Sequence, residues 1–239
     1  MFAKRLSTIH SQGDILNHYA VNVDGDDDFI DWSTNFDSYI GGNASFTFVM
    51  WIKILALGNK QVFATGGTSN NGFDYSISTD GSPTIKLMNK IKTDANFDYI
   101  VGDWVQHVFV HDNSGNKAIF YKDGKHSQTH SSFAPTASAV ASGNARFGAT
   151  QAGGGDVQSD IAQIALYSDV LTDVEILQIY GDGGGFDLST SGHPDNLVGW
   201  WKMGDGTEGG SGTTIYDMSS NSNNATLADN AHIIRANLD

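Results

Sequence analysis

Short apolar and alternating runs recur along the whole chain, each closed off by turn-forming residues. YAVNV (19–23), ASFTFVMWIKI (44–54), KQVFATGG (60–67), FDYSIST (73–79), TIKLMNKI (84–91) and WVQHVFVHD (104–112) come first. KAIFYKDGK (117–125), ARFGAT (145–150) and DIAQIALYSDVL (160–171) follow. Period-two alternation and brief apolar runs between turn residues predict strands. The punctuation is Gly41-Gly42, Asn70-Asn71-Gly72, Asp80-Gly81, Asn113-Ser114-Gly115-Asn116 and Gly153-Gly154-Gly155, all of it turn chemistry. Asp123-Gly124 between two strand runs has the composition of a type I′ hairpin. One segment reads as helix: Thr172 is a cap, Glu175 completes a capping box, and Ile176, Leu177 and Ile179 supply the apolar side before Gly181. One short helix near 172–180 among many strands predicts an all-β fold, an antiparallel sandwich of two sheets.

Composition supports strands and turns. The 27 acids include just two glutamates, Glu175 and Glu208, so 27 − 2 = 25 are aspartates. Aspartate favours turns and caps because its short side chain bonds nearby backbone N–H groups. The 28 glycines point the same way. A chain of 239 residues without cysteine buries enough surface to fold unaided by disulfides, and thiol catalysis and Cys-ligated zinc are excluded. The net charge of −14 argues against nucleic-acid binding, which needs clustered Lys and Arg. No run approaches the roughly 20 apolar residues of a membrane span, and residues 1–20 lack the apolar stretch of a signal peptide. A soluble protein, with no membrane contact and no cleaved export signal, is expected. The organisation that fits is an arm at 1–18 and one domain at 19–239, with its core at 19–181, a glycine-rich linker at 182–195 and a completing segment at 196–239.

Candidate chemistry begins at VDGDDDFIDW (23–32), where Asp24, Asp26, Asp27, Asp28 and Asp31 crowd together. Glycoside hydrolysis needs two carboxylates flanking the scissile bond, and no strand offers an E-x-D-x-x-E pattern; Glu175 is on the helix and Glu208 in a loop. Calcium takes six to eight oxygens from carboxylates, amides and backbone carbonyls. Asp26 and Asp27 in this turn, with Asp205, Asp217, Asn221 and Asn223 in the tail, are candidate ligands if the two loops meet. The alternative is a solvated turn. His107 and His111 lie four apart on one strand face; two imidazoles there suit zinc, but a half-exposed strand face is the expected reading. Among the tryptophans, Trp51 belongs in the core and Trp200 and Trp201 must point to opposite faces. Trp32, directly after the acidic turn, is the expected exposed aromatic and glycan-stacking residue.

The ordered segments AVNVDGDDDFIDW, FTFVMWIK, QVFATGG, GDWVQHVFVHDNSGNKAIFYKDGK, ARFGA and IALYSDVLTDVEI resemble the laminin G-like/concanavalin A-like lectin-glucanase jelly roll over about residues 19–181. The resemblance implies a two-sheet sandwich, a concave face that binds glycans in some members, and calcium (Ca2+) at a rim loop in many. One departure stands out. Members often carry Gly-x-Ile-Asp-Glu-Val where this chain has Ser159-Asp160-Ile161-Ala162-Gln163-Ile164, so any function resting on those acids does not carry over. The tail NLVGWWKMGDG…GTTIYDMSSNSNNATL is similar to the segment that usually opens such a module, here placed last. It is either a truncated second module or, as expected, a permuted piece completing the first.

Modules with this trailing piece resemble virion proteins of tailed, especially marine, phages. The implied function is a non-catalytic virion structural or decoration protein exposed on the particle surface, docked to a capsid or tail protein through residues 1–18. It would present a face to cell-surface glycans, as a monomer or homo-oligomer. A calcium-dependent carbohydrate-binding module is the alternative, and a glycoside hydrolase comes third.

Overall fold

The computed structural model describes residues 19–65, 71–136, 143–150, 155–181, 188, 194–203, 210–228 and 231–235. In chain order the strands are β1 (Tyr19–Asp24), β2 (Phe29–Trp32), β3 (Phe46–Ile54), β4 (Lys60–Thr65), β5 (Phe73–Ile77), β6 (Pro83–Leu87), β7 (Lys90–Thr93), β8 (Trp104–Asp112) and β9 (Lys117–Lys122). They continue with β10 (Lys125–Ser131), β11 (Ala145–Phe147), β12 (Gln158–Tyr167), β13 (Leu197–Trp201), β14 (Gly210–Ser211), β15 (Thr214–Ile215), β16 (Ala225–Ala228) and β17 (His232–Arg235). Two helices, α1 (Asp37–Ile40) and α2 (Asp173–Gly181), complete the list with a 3-10 turn at Pro194–Asn196. None of the described helices is long and apolar enough to cross a membrane.

The strands form two antiparallel sheets, as the alternation predicts. An eight-stranded sheet runs β10-β9-β8-β3-β12-β1-β17, with β13 also paired to β12; a nine-stranded sheet runs β14-β15-β16-β2-β11-β4-β5-β6-β7. Segments of the C-terminal tail enter both: β13 pairs with β12, β17 with β1, and β16 with β2. The main core lies between the sheets, where Trp32 of β2 meets Trp201 of β13 edge-to-face at 5.1 Å between ring centroids. Gly199 makes room for that ring, since a Cβ there would strike Trp201.

Two local readings needed revision. TIKLMNKI is not one strand: Met88 adopts φ 52°, and the chain doubles back there from β6 into β7. The short α1 has no signal in the sequence periodicity; Ile40 anchors it in the core. The Asp123-Gly124 hairpin forms between β9 and β10, with φ of 50° and 71° at the two turn residues.

Burial differs between the sheets for a physical reason. In β3 and β12 nearly every residue is buried, because α2 covers the outer face of the eight-stranded sheet. Ile176, Ile179 and Leu171 pack there against Val49, Val108, Tyr167 and Trp200. In β5 and β6 burial alternates strictly, so one face of the nine-stranded sheet packs on the core and the other meets water.

Candidate functional site

The outer face of the nine-stranded sheet, which none of the described elements covers, carries the candidate site. The pairing register sets two rows of side chains across it. One row reads Gln61, Ser76, Thr84, Thr93 on β4 to β7. The next reads Asp31, Arg146, Ala64, Asp74, Lys86, Ile91 on β2, β11 and β4 to β7. Over the first row opens a cleft of about 330 Å³, lined by Asn59, Lys60, Gln61, Ser76, Thr84 and Thr150 among others. Its polar groups are held in place. The Gln61 amide nitrogen donates to the carbonyls of Phe63 (2.7 Å) and Tyr75 (2.9 Å), across an irregularity in the β4–β5 register. The hydroxyls of Thr84 and Thr93 lie 2.8 Å apart, and the Ser76 hydroxyl donates to the Thr84 carbonyl. That volume sits at the low end of the range for small-ligand sites, and its lining of amides, hydroxyls and one amine suits a hydroxyl-bearing ligand.

The second row carries charge. Arg146 Nε donates to Asp31 at 2.8 Å, Asn144 donates to the other carboxylate oxygen at 2.6 Å, and the guanidinium lies 4.3 Å from the centre of the Phe29 ring. Asp74 faces Lys86 at 3.8 Å; burial raises its pKa, opposed by that lysine. Asp31 and Asp74 stand three strand spacings apart, about 14 Å. Glycosidic cleavage needs carboxylates roughly 5–9.5 Å apart.

Among the described residues, the two loops named for calcium lie apart. Ala225 pairs with Trp32 and Ala228 with Phe29. The loop before β16, which holds Asp217, Asn221 and Asn223, therefore lies at the Trp32 end of β2. The turn holding Asp26 and Asp27 lies at the Phe29 end, three residues or about 10 Å of strand away. This register sets the described parts of the two loops at opposite ends of β2. Asp217 instead organises its own loop: its carboxylate accepts from the backbone N–H groups of Trp200, Ser219 and Asn223 and from the Ser219 hydroxyl. Asn221 and Asn223 donate to carbonyls of Leu197 and Val198. Asp26 and Asp27 are exposed on the turn, where Gly25 takes φ 85°, Asp24 Oδ1 accepts from Asp26 N–H and Asp28 Oδ2 from Asp24 N–H. Asp205 lies outside the described residues. Among the described residues no group of three or more His, Asp or Glu side chains is placed to hold a metal.

Trp32 is not exposed. Its strand alternates with Ile30 and Trp32 inward, and its ring packs against Phe36, Phe63 and Trp201 at 0% exposure. It cannot stack on a sugar. His107 and His111 also turn inward, unlike the half-exposed strand face expected: His107 Nδ1 lies 2.9 Å from the Tyr75 hydroxyl and His111 Nδ1 2.7 Å from the Ala44 carbonyl. Burial, reinforced by Lys122, lowers the His107 pKa to about 3. The cleft residues escaped sequence reasoning because they form no cluster along the chain; the alternating polar positions of FDYSI and PTIKL are the trace they leave.

A family model for the concanavalin A-like lectin/glucanases superfamily matches residues 20–177. The chain belongs to this superfamily. Solved structures share the fold at low identity. A candidate carbohydrate-binding protein of Bacteroides ovatus aligns with TM-score 0.70 and 15% identity, over 92% of this chain and 60% of its own length. The sialidase CBM40 of Ruminococcus gnavus, solved with α2,6-sialyllactose, aligns with TM-score 0.55 and 15% identity, over 71% of this chain and 100% of its own. A heptameric pentraxin of Limulus polyphemus aligns with TM-score 0.55 and 13% identity, over 70% and 83%. This lectin-like chain thus spans 60% of the Bacteroides protein's length. No curated protein matches the sequence.

Proposed function

We propose that this superfamily member is a non-catalytic glycan-binding module that seats the end of a saccharide in the cleft of the nine-stranded sheet. The observation that carries this reading is the cleft itself: a fixed set of amides and hydroxyls with one lysine, on the sheet face that nothing in the described structure covers. The fold shared with a sialidase CBM40 solved with a sialylated sugar supports it. The spacing of Asp31 and Asp74, about 14 Å, and the engagement of Asp31 by Arg146 and Asn144 speak for binding without cleavage. Display on a phage particle, with residues 1–18 docking to a capsid or tail protein, rests on sequence resemblance alone, and that arm lies outside the described residues.

The test is a glycan array with the intact chain and with Ser76→Trp, which fills the cleft, each with calcium and with EGTA. Binding by the intact chain that Ser76→Trp abolishes, unaffected by EGTA and with no product released, is the expected result. Binding that survives Ser76→Trp moves the site elsewhere. Loss in EGTA would restore the calcium-dependent reading, centred on the Asp24–Asp28 turn.

A further inference from the structure

The opposite face of the sandwich holds a second constellation. Beside Tyr180 at the end of α2, the register lines up His232, Asn22, Asp160, Lys53 and Trp104 across β17, β1, β12, β3 and β8. All five point outward, since Val21, Val23, Ile52 and Val105 between them belong to the core. Asp160 is the floor of the row at 4% exposure. One of its oxygens accepts from the Asn22 amide at 2.7 Å and the other pairs with the Lys53 ammonium at 2.7 Å. The ammonium lies 5.2 Å from the centre of the half-buried Trp104 ring.

A second, independent observation sits beside this row. Gln106 is 0% exposed, and both polar atoms of its side chain are buried without a hydrogen-bond partner. So are the indole N–H groups of Trp104 and of Trp51, the residue paired with Gln106. Native interiors leave few such atoms unmet. These four atoms on three adjacent residues lie out of a ligand's direct reach and leave hydrogen-bonding capacity beneath the row that water can bridge to its surface.

We infer that this end of the eight-stranded sheet is a second saccharide position, built for a neutral hexopyranose. Trp104 offers a flat apolar face for the ring. Asp160 accepts from hydroxyls while Lys53 and Asn22 donate to them, an arrangement that matches neighbouring hydroxyls acting as donor and acceptor at once. The ion pair neutralises itself, so an anionic sugar would meet Asp160 and a cationic one Lys53; an uncharged ring meets neither cost. The position is distinct from the cleft, which lies on the other sheet. With both occupied, one chain would bridge two glycan ends and gain avidity on a glycan-coated surface.

The test uses the Ser76→Trp chain, so that the fate of the cleft reading does not enter. It is titrated in a 1H–15N correlation experiment with methyl α-mannopyranoside, methyl β-glucopyranoside and methyl β-galactopyranoside, each to about 50 mM, enough to fill a site of millimolar Kd. The expected result is saturable movement of the Trp104 and Trp51 indole resonances with at least one glycoside. Asp160→Asn should weaken it about tenfold or more, equivalent to about 1.4 kcal/mol, and Trp104→Ala should abolish the Trp51 response. Lys53→Met replaces Asp160→Asn if the latter loses its native amide dispersion. Still indoles with all three glycosides overturn the proposal, as does a response of unchanged Kd in these variants.

Discussion

The two outer faces of this sandwich obey opposite rules. On the eight-stranded sheet, β3 and β12 are buried on both sides because α2 and the residues around it roof the outer surface. On the nine-stranded sheet, β5 and β6 keep every second residue in partial contact with water, and the cleft opens there. The same inward core supports both. The difference shows how a jelly-roll sandwich divides labour: apolar burial is added on the roofed face, and polar side chains meet water on the other. The end of the roofed face around Trp104, where the roof narrows to Tyr180, is the exception that a ligand can exploit.

The sharpest break in this comparison comes from paired substitutions. Ile176 of α2 is fully buried under the roof, so Ile176→Ala removes apolar contacts and leaves a cavity; a loss of about 3 kcal/mol is expected. Thr226→Ala, at an exposed outward position on β16 of the bare face, should move stability by no more than about 0.5 kcal/mol. Urea unfolding of the two variants side by side measures both. Equal losses would mean that α2 does not stabilise its sheet as argued.

A second prediction reaches the seam where the sheets meet, at Tyr75 of β5 and His107 of β8. Burial, with Lys122 adding to it, holds His107 neutral down to about pH 3, whereas the unfolded chain takes up that proton near about pH 6.5. The folded pKa is depressed, so the stability linked to this group is fully present above the unfolded value and drains away as pH falls toward 3. One such histidine contributes at most about 1.4 kcal/mol per pH unit to that loss. His107→Gln leaves an amide that can still meet Tyr75 and has no proton to gain. Its stability, measured by urea unfolding between about pH 6 and about pH 4, should therefore fall less steeply than that of the unaltered chain by up to that amount. Parallel slopes would contradict the assignment.

What was legible in the sequence follows the range of the forces involved. Strand periodicity, the Asp123-Gly124 hairpin and the Thr172–Glu175 box are local, and each appears where the pattern placed it. Trp32 could not be placed by pattern, because its strand is four residues long and the choice of face depends on Trp201, far away in sequence. The separation of the Asp26–Asp27 turn from the Asp217–Asn223 loop has a similar cause: which end of β2 each reaches is fixed by the β2–β16 register. The cleft is assembled sideways across β4, β5 and β6, and the Trp104 row across β17, β1, β12, β3 and β8. No linear motif could reveal either.

The smallest effect tests the edge of the roof. At the start of α2 the Glu175 carboxylate accepts from both the backbone N–H and the hydroxyl of Thr172, each at 2.7 Å, while the Glu175 N–H reaches back to the Thr172 hydroxyl at 3.4 Å. Thr172→Ala removes the hydroxyl and leaves a first-turn N–H without its side-chain acceptor, a loss of about 1 kcal/mol for a cap of this kind. Because α2 also positions Tyr180, whose ring stacks on Trp51 at 5.5 Å, a loosened helix should show itself at the far end too. The Trp51 indole proton should exchange faster in Thr172→Ala than in the unaltered chain, while the backbone amides of β5 and β6 on the bare sheet keep their protection. Faster exchange on both sheets would mean that the cap supports the whole sandwich and that the roof is not a separable layer.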